Sequence, residues 1–174
     1  MNTEELLNLS SNLLFTGFLL LLIAILPLGL SVKSNRNIFK ILGVVLTYVA
    51  FILQISYFIT RWIAVGHAPV SNMFEFMTFF GIMLIGSFIF IYHIYKQSVV
   101  GLFVLPVSLI IIGYGSVFSN EVSPLVPSLR SNWLSIHVIT VALSSAVLSI
   151  SFATAIIFLL KALDTTKKQL AHVH

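Results

Sequence analysis

The sequence predicts an all-α integral membrane protein of about five transmembrane helices, with the N-terminus outside and the C-terminus in the cytoplasm. Of 174 residues, 59% are hydrophobic and only 8% are charged, whereas about 25% are charged in typical soluble domains. The few charges separate five long apolar runs, and the basic residues favour alternate loops. This composition excludes a soluble enzyme and a disordered chain. Because the chain has no cysteine, disulfide scaffolds and thiolate metal sites are excluded too.

Five uncharged runs organise the chain. A helix crosses the hydrocarbon core with about 20 apolar residues, and lipid offers backbone groups no alternative partner. The runs cover residues 6–32, 41–60, 76–95, 97–120 and 131–160. Each predicts one helix, and together they form a single membrane domain over residues 1–174. The predicted helices lie near 13–32, 39–60, 73–95, 98–118 and 132–160, followed by a cytoplasmic tail over 161–174.

The first helix is expected to remain in the membrane. Its leading segment carries Glu4 and Glu5 where a cleavable signal peptide has basic residues. The apolar stretch also exceeds the 7–15 residues, roughly, of a signal-peptide core.

The basic residues predict the orientation of the bundle, because they accumulate in cytoplasmic loops. Only Arg61 and Arg130 lie on the side predicted to be outside. The other seven of the nine lie on the opposite side: Lys33, Arg36, Lys40, Lys96, Lys161, Lys167 and Lys168. The net charge of +4 is therefore a topology signal, and nucleic acid is not needed as a partner to explain it.

The first outer loop connects the second and third predicted helices, over residues 61–72. Ser71 or Asn72 is placed to cap the third helix, and Glu75 then falls in its first turn, where the helix dipole favours an anion. A capped turn at the membrane surface accounts for these features. It does not account for the crowding of Arg61, His67 and Glu75 in so short a stretch.

The second outer loop, over residues 119–131, leads to the fifth helix. Trp133 marks the membrane interface, and His137 lies about one turn deeper. Thr140, Ser144 and Ser151 follow on the face of His137. We expect this polar stripe to face other helices, because polar groups facing lipid are costly. His137 is then either a hydrogen-bonded packing residue or a ligand, since neutral imidazole commonly binds iron.

Two long motifs in these loops resemble the CcsA/ResC family. The first reads Arg61-Trp62, then Gly66-His67-x-Pro69-x-Ser71-Asn72-x-x-Glu75. The second reads Val126-Pro127-Ser128-Leu129-x-Ser131-x-Trp133-Leu134-x-x-His137-Val138. The resemblance covers about residues 40–160, with the motifs in the family's order and on its side of the membrane.

The resemblance implies a role in system II cytochrome c biogenesis, as a subunit or N-terminal part of the synthase. In this family, a membrane complex with a CcsB/ResB-type protein carries haem b to the outer face. There haem is attached to the Cys-x-x-Cys-His motif of an apocytochrome c. The localisation implied is the cell membrane, or the thylakoid membrane in a plastid.

The same resemblance implies the candidate site. His137 matches the first of two outer histidines that ligate the haem iron axially. His67 belongs to the loop motif without an assigned role, and Trp133 precedes the ligand. Arg61 and Arg130 are candidates to pair haem propionates, because arginine donates in bidentate fashion to carboxylates. No catalytic residue is assigned.

The chain also departs from the family pattern. It has only Trp62 and Trp133 as tryptophans, without the Trp-rich WWD segment that supplies the haem platform. It resembles the N-terminal part of the architecture, either truncated or complemented by another chain. Alone it is not expected to be catalytic, although it could belong to a holocytochrome c synthase (haem lyase) complex. The alternatives are a small transporter or permease subunit, which would use helices broken near the midplane, and a non-catalytic packing subunit.

Overall fold

The computed structural model describes residues 2–34, 36–122 and 132–171. Within the last range, side chains are described for residues 133–163. Five helices in this part of the chain are long and apolar enough to cross a membrane, so the predicted fold class is confirmed as a multi-pass helical protein. Its orientation remains a prediction. The helices are α1 (Thr3–Lys33), α2 (Asn37–Val65), α3 (Met73–Tyr95), α4 (Gly101–Gly115) and α5 (Asn132–Ala171), with a short 3-10 helix, Ser98–Val100, before α4.

Helices α1 and α5 extend beyond the apolar runs that indicated them. Helix α1 begins at Thr3 rather than near residue 13, because Glu5 accepts a 3.0 Å hydrogen bond from the Asn2 backbone N–H at the helix start. Helix α5 continues to Ala171, through most of the segment predicted as a tail. The length of an apolar run predicts only the part of a helix that lies in lipid. Polar turns at either end make the whole helix longer than that run.

Close approach of backbones joins α1 to α2. A Cβ atom on Gly43 of α2 would lie 2.6 Å from Cγ of Leu28 and 3.0 Å from its backbone nitrogen. A Cβ atom on Gly17 of α1 would lie 2.9 Å from Cγ of Gln54. Small residues at such positions permit the packing contacts that hold membrane helices together.

Helix α3 occupies the centre of the bundle and packs against α4 and α5, while α1 also reaches α4. Pro27 and Pro106 lie inside α1 and α4, and both helices continue through them. Neither proline therefore breaks a helix as the permease alternative requires.

The polar stripe of α5 does not face the bundle, and the expectation that it does is wrong for the described chain. Thr140, Ser144 and Ser151 are exposed, and each hydroxyl donates to the carbonyl four residues earlier, at 2.8 to 3.0 Å. A hydroxyl satisfied by its own helix needs no neighbour. The face that packs inward instead carries small and apolar residues: Ala142, Ala146, Ile150 and Ala153.

Candidate functional site

A buried ion pair lies where α2 ends and α3 begins. Nε of Arg61 is 2.9 Å from Oε1 of Glu75, and each side chain is only 2% exposed. Charged side chains are almost never this buried unless they are paired. The pair lies on two helices joined by a short loop, so it holds that loop against the bundle.

Arg61 also reaches the segment that follows α4. Its Nη2 donates a 2.8 Å hydrogen bond to the backbone carbonyl of Asn120. Its guanidinium carbon lies 5.4 Å from the centre of the Phe74 ring, a cation–π distance. Arg61 therefore connects both loops at this end of the bundle, the one before α3 and the one that leads towards α5.

Glu75 organises the other side of the pair. Its Oε2 accepts hydrogen bonds from the Ser71 backbone N–H at 2.9 Å and the Ser71 hydroxyl at 2.8 Å. Asn72 caps α3 by accepting from the Glu75 backbone N–H at 2.8 Å, as predicted for Ser71 or Asn72. The carboxylate also lies in the first turn of α3, where the helix dipole favours a negative charge. The loop backbone is thus held by one buried carboxylate and one cap.

This loop forms a wall of a cleft that includes His137. The cleft has a volume of about 350 Å³. One wall is the end of the loop and the start of α3, and the other is the first turns of α5. The lining residues are Val70, Ser71, Asn72, Met73, Phe76, His137, Val138 and Val141. The fold therefore brings the first loop motif beside the histidine of the second.

The other predicted site residues lie in different surroundings. Trp133 is 81% exposed at the start of α5. His67 is half-buried in the loop, with Nδ1 3.1 Å from the carbonyl of Ala68, and it does not line the cleft. Arg61 is buried behind the loop, with two of its nitrogens bonded to protein atoms. Arg130 lies outside the described residues.

Two side chains that line the cleft, the His137 imidazole and the Met73 thioether, are of types that ligate haem iron. His137 is exposed on its wall, and the neighbouring side chains are mostly apolar. Within residues 2–34, 36–122 and 132–171, no group of three or more His, Cys, Asp or Glu residues could hold a metal ion. An imidazole beside a mostly apolar wall could hold one face of a flat iron macrocycle, and the thioether of Met73 lines the same cleft.

The Arg61–Glu75 pair is the part of this site that sequence reasoning did not find. The signal was present, because these are the only two charged residues between Lys40 and Lys96. Two opposite charges isolated in apolar sequence and separated by one turn-forming loop are good candidates for a buried pair. The sequence instead predicts separate roles for the two residues: Arg61 pairs a haem propionate, and Glu75 lies in the first turn of the third helix, near the positive end of its dipole.

Comparison with known proteins identifies the same part of the chain. The family model described as cytochrome C assembly protein matches residues 70–173, which includes the cleft. A protein named cytochrome c biogenesis protein CcsA from Trieres chinensis is 36% identical over 164 residues, covering 91% of this chain and 52% of that protein.

Two further proteins of that name are similar. The protein from Guillardia theta is 35% identical over 159 residues, covering 89% of this chain and 52% of its own length. The protein from Gloeobacter violaceus is 30% identical over 165 residues, covering 92% and 49%. The chain therefore spans about half the length of these relatives. No solved structure matches it.

Proposed function

The chain belongs to the CcsA family of cytochrome c biogenesis proteins, and we propose that it serves a system II cytochrome c synthase by presenting haem b at the outer membrane face. Haem is here the substrate of the complex. Its attachment joins the haem vinyl groups to the two thiols of a Cys-x-x-Cys-His motif in an apocytochrome c. Both nucleophiles come from the apocytochrome, which is compatible with a chain that has no cysteine.

The observation that carries this proposal is the position of His137 on the cleft. The loop that forms the opposite wall of this cleft is held by the Arg61–Glu75 pair. Imidazole is a common axial ligand of haem iron, and His137 is exposed on a wall that is otherwise mostly apolar. In the proposal, His137 supplies one axial ligand to the haem iron. Val138, Val141 and Phe76 offer apolar surface to the macrocycle.

The other candidate residues take supporting parts. Trp133 lies one turn before His137 and is almost fully exposed, so it is available to stack on a ligand or a partner. Arg130, next to that turn in sequence, is the candidate for pairing a propionate. For Arg61 the buried ion pair favours a positioning role over a direct contact with haem. His67 donates to the Ala68 carbonyl when Nδ1 carries the ring proton, and we assign it to the shape of the loop.

The proposal requires partners, because this chain carries one imidazole at the cleft and spans half the length of its relatives. A second chain or segment of the CcsA type completes the haem site, and a CcsB/ResB-type protein joins the membrane complex. The complex then lies in the cell membrane, or in the thylakoid membrane of a plastid, with the cleft on the outer side.

The test is the His137→Ala variant in the complex in which the chain occurs, purified from the membrane. We expect the variant to lose most of its bound haem, and c-type cytochromes to decrease in the same cells. Added imidazole is expected to restore the haem spectrum, because it replaces the missing ligand. The matched control is His93→Ala, since His93 is also exposed but lies at the other end of the bundle. Unchanged haem content and unchanged cytochrome maturation in His137→Ala would refute the assignment.

A further inference from the structure

Two lysines from different helices meet at one aromatic ring, at the end of the bundle opposite the His137 cleft. Nζ of Lys40, in the first turn of α2, lies 5.8 Å from the centre of the Tyr92 ring. Nζ of Lys96, directly after α3, lies 5.7 Å from the same centre. Tyr92 is half-buried and packs against Phe88, with ring centres 6.2 Å apart. A ring held by the bundle therefore brings two positive charges together.

The ring leaves most of the donor capacity of these lysines unused. A distance of about 6 Å is the outer limit of a cation–π contact, and an ammonium group has three N–H donors. Neither Lys40 nor Lys96 forms an ion pair or a side-chain hydrogen bond with any described residue. Lysines at helix ends usually extend separately into water, whereas these two bring like charges to one place.

The backbone of Lys96 adopts a conformation that lysine rarely has. Its φ is 56° and its ψ is 22°, and no other residue except glycine has a positive φ in the parts of the chain that the structure describes. Glycine is the usual residue at this position after a helix, because a Cβ atom is disfavoured there. The dipole of α3 favours a cation at this end, but a lysine inside the last turn would supply it with ordinary helical φ. Lys96 therefore reaches the Tyr92 ring at an energetic cost.

Positive charge dominates this end of the bundle. Seven of the nine basic residues belong to it, while four of the five acidic residues belong to the other end: Glu4, Glu5, Glu75 and Glu121. The fifth, Asp164, lies outside the described side chains and is outnumbered in its own segment by Lys161, Lys167 and Lys168. Helix ends lie at the depth of the lipid headgroups, where such an excess of positive charge attracts anions.

We propose that the Lys40–Tyr92–Lys96 cluster binds a phosphate group, carried by an anionic phospholipid or free in solution. Phosphate oxygens accept charge-assisted hydrogen bonds from ammonium groups, and the Tyr92 hydroxyl is a third donor. Exposed apolar side chains border the cluster, with Ile41 of α2 at 59% and Ile94 of α3 at 55% exposure. An acyl chain attached to the phosphate therefore has apolar surface beside it. This site lies at the other end of the bundle from His137 and does not depend on haem binding there.

The test measures ligand binding to the purified full chain in detergent. Native mass spectrometry gives the affinities for phosphatidylglycerol and, as the lipid without net charge, phosphatidylcholine. We expect Lys40→Gln and Lys96→Gln each to weaken phosphatidylglycerol binding about five-fold, and the double variant about twenty-five-fold. Lys33→Gln is the matched control, since it removes the same charge from an exposed position at this end. It is expected to weaken binding less than two-fold.

Inorganic phosphate distinguishes the two sources of the ligand. Selective phosphatidylglycerol binding that the double variant loses assigns the phosphate to a lipid. A Tm raised by millimolar phosphate in the wild type but not in the double variant, without selective lipid binding, assigns it to free phosphate. Equal affinities of the wild type and the double variant for both probes would overturn the proposal, as would equal losses in Lys33→Gln and Lys40→Gln.

Lys96→Gly separates a ligand-binding role from a structural one. Glycine relieves the positive φ, so the lipid-free variant is expected to melt about 2–4 °C higher than the wild type. Its affinity for phosphatidylglycerol is expected to fall about five-fold, because one ammonium group is gone. If Lys96 only holds the end of α3 through its contact with Tyr92, the sign is the opposite. A lower Tm together with unchanged affinity would therefore refute the phosphate site.

Discussion

Arg61 and Glu75 form an ion pair at 2.9 Å inside the protein, although each ends or begins a helix beside a surface loop. The buried side chains of this pair hold the loop between them through hydrogen bonds. Glu75 binds Ser71 through both its backbone and its hydroxyl, and Arg61 binds the carbonyl of Asn120. The pair therefore fixes the loop wall of the cleft to the ends of α2 and α3 and to the segment after α4.

Removal of one charge of this pair is expected to destabilise the protein strongly. Glu75→Gln leaves a buried guanidinium without its counter-charge, and breaking a buried pair in this way costs about 3–5 kcal/mol. The double variant Arg61→Met/Glu75→Leu is expected to lose less than Arg61→Met or Glu75→Leu alone, because no unpaired charge remains. Unfolding in detergent, followed by circular dichroism, gives the coupling between the two positions. Additive losses in the double variant would contradict it.

The same pair is expected to affect the proposed haem site without supplying a ligand. In the complex, Glu75→Gln is expected to lower haem content, because an amide has one acceptor oxygen and cannot accept from both Arg61 and Ser71 at the wall opposite His137. Added imidazole is expected to restore the His137→Ala variant but not Glu75→Gln, because the iron ligand is intact in the latter. Restoration of both variants by imidazole would assign Glu75 to the iron instead.

The cap of α3 is expected to make a smaller contribution. Asn72→Ala removes the acceptor of the Glu75 N–H, and loss of such a cap costs about 1 kcal/mol. Asn72→Asp keeps the acceptor and is the control that should retain most of the stability. Equilibrium unfolding of both variants checks this, and equal losses in the two would mean that the cap hydrogen bond is not the cause.

The contact between α1 and α2 is expected to be sensitive to one methyl group. Gly43→Ala places a Cβ 2.6 Å from Cγ of Leu28 and 3.0 Å from its backbone nitrogen. Relieving that overlap requires the helices to separate, at a cost of about 1–3 kcal/mol.

Gly29→Ala is the matched control for this contact, since the nearest atom to its Cβ would be 4.0 Å away. Alanine also favours helix over glycine by about 1 kcal/mol, so this variant is expected to unfold at the same or a higher temperature. Melting of both variants in the same detergent is the measurement. A stable Gly43→Ala protein would show that the two helices are free to adjust.

The sequence alone was sufficient to predict the five helices, while the candidate site residues that it named stay a prediction. The runs between charges predicted all five membrane helices, because lipid tolerates neither bare backbone nor unpaired charge. The bounds of α3 were predicted at 73–95 and observed at Met73–Tyr95, since Asn72 is a strong cap and Lys96 ends the apolar run. The start of α1 was missed, because its first turns mix leucines with Glu4, Glu5 and several Ser and Asn residues, and so interrupt the continuous apolar signal.

The tertiary structure decided which faces meet. Period and polarity placed His137, Thr140 and Ser144 on one face of α5, but they did not indicate that an alanine face packs inward instead. A hydroxyl that donates to its own helix backbone needs no partner on another helix. The polarity of the residue therefore does not show which face packs inward, and only the tertiary contacts do. The pairing of Arg61 with Glu75 was likewise determined by the tertiary structure. Charge composition required the few buried charges to find partners, and the geometry of α2 and α3 determined which partners they found.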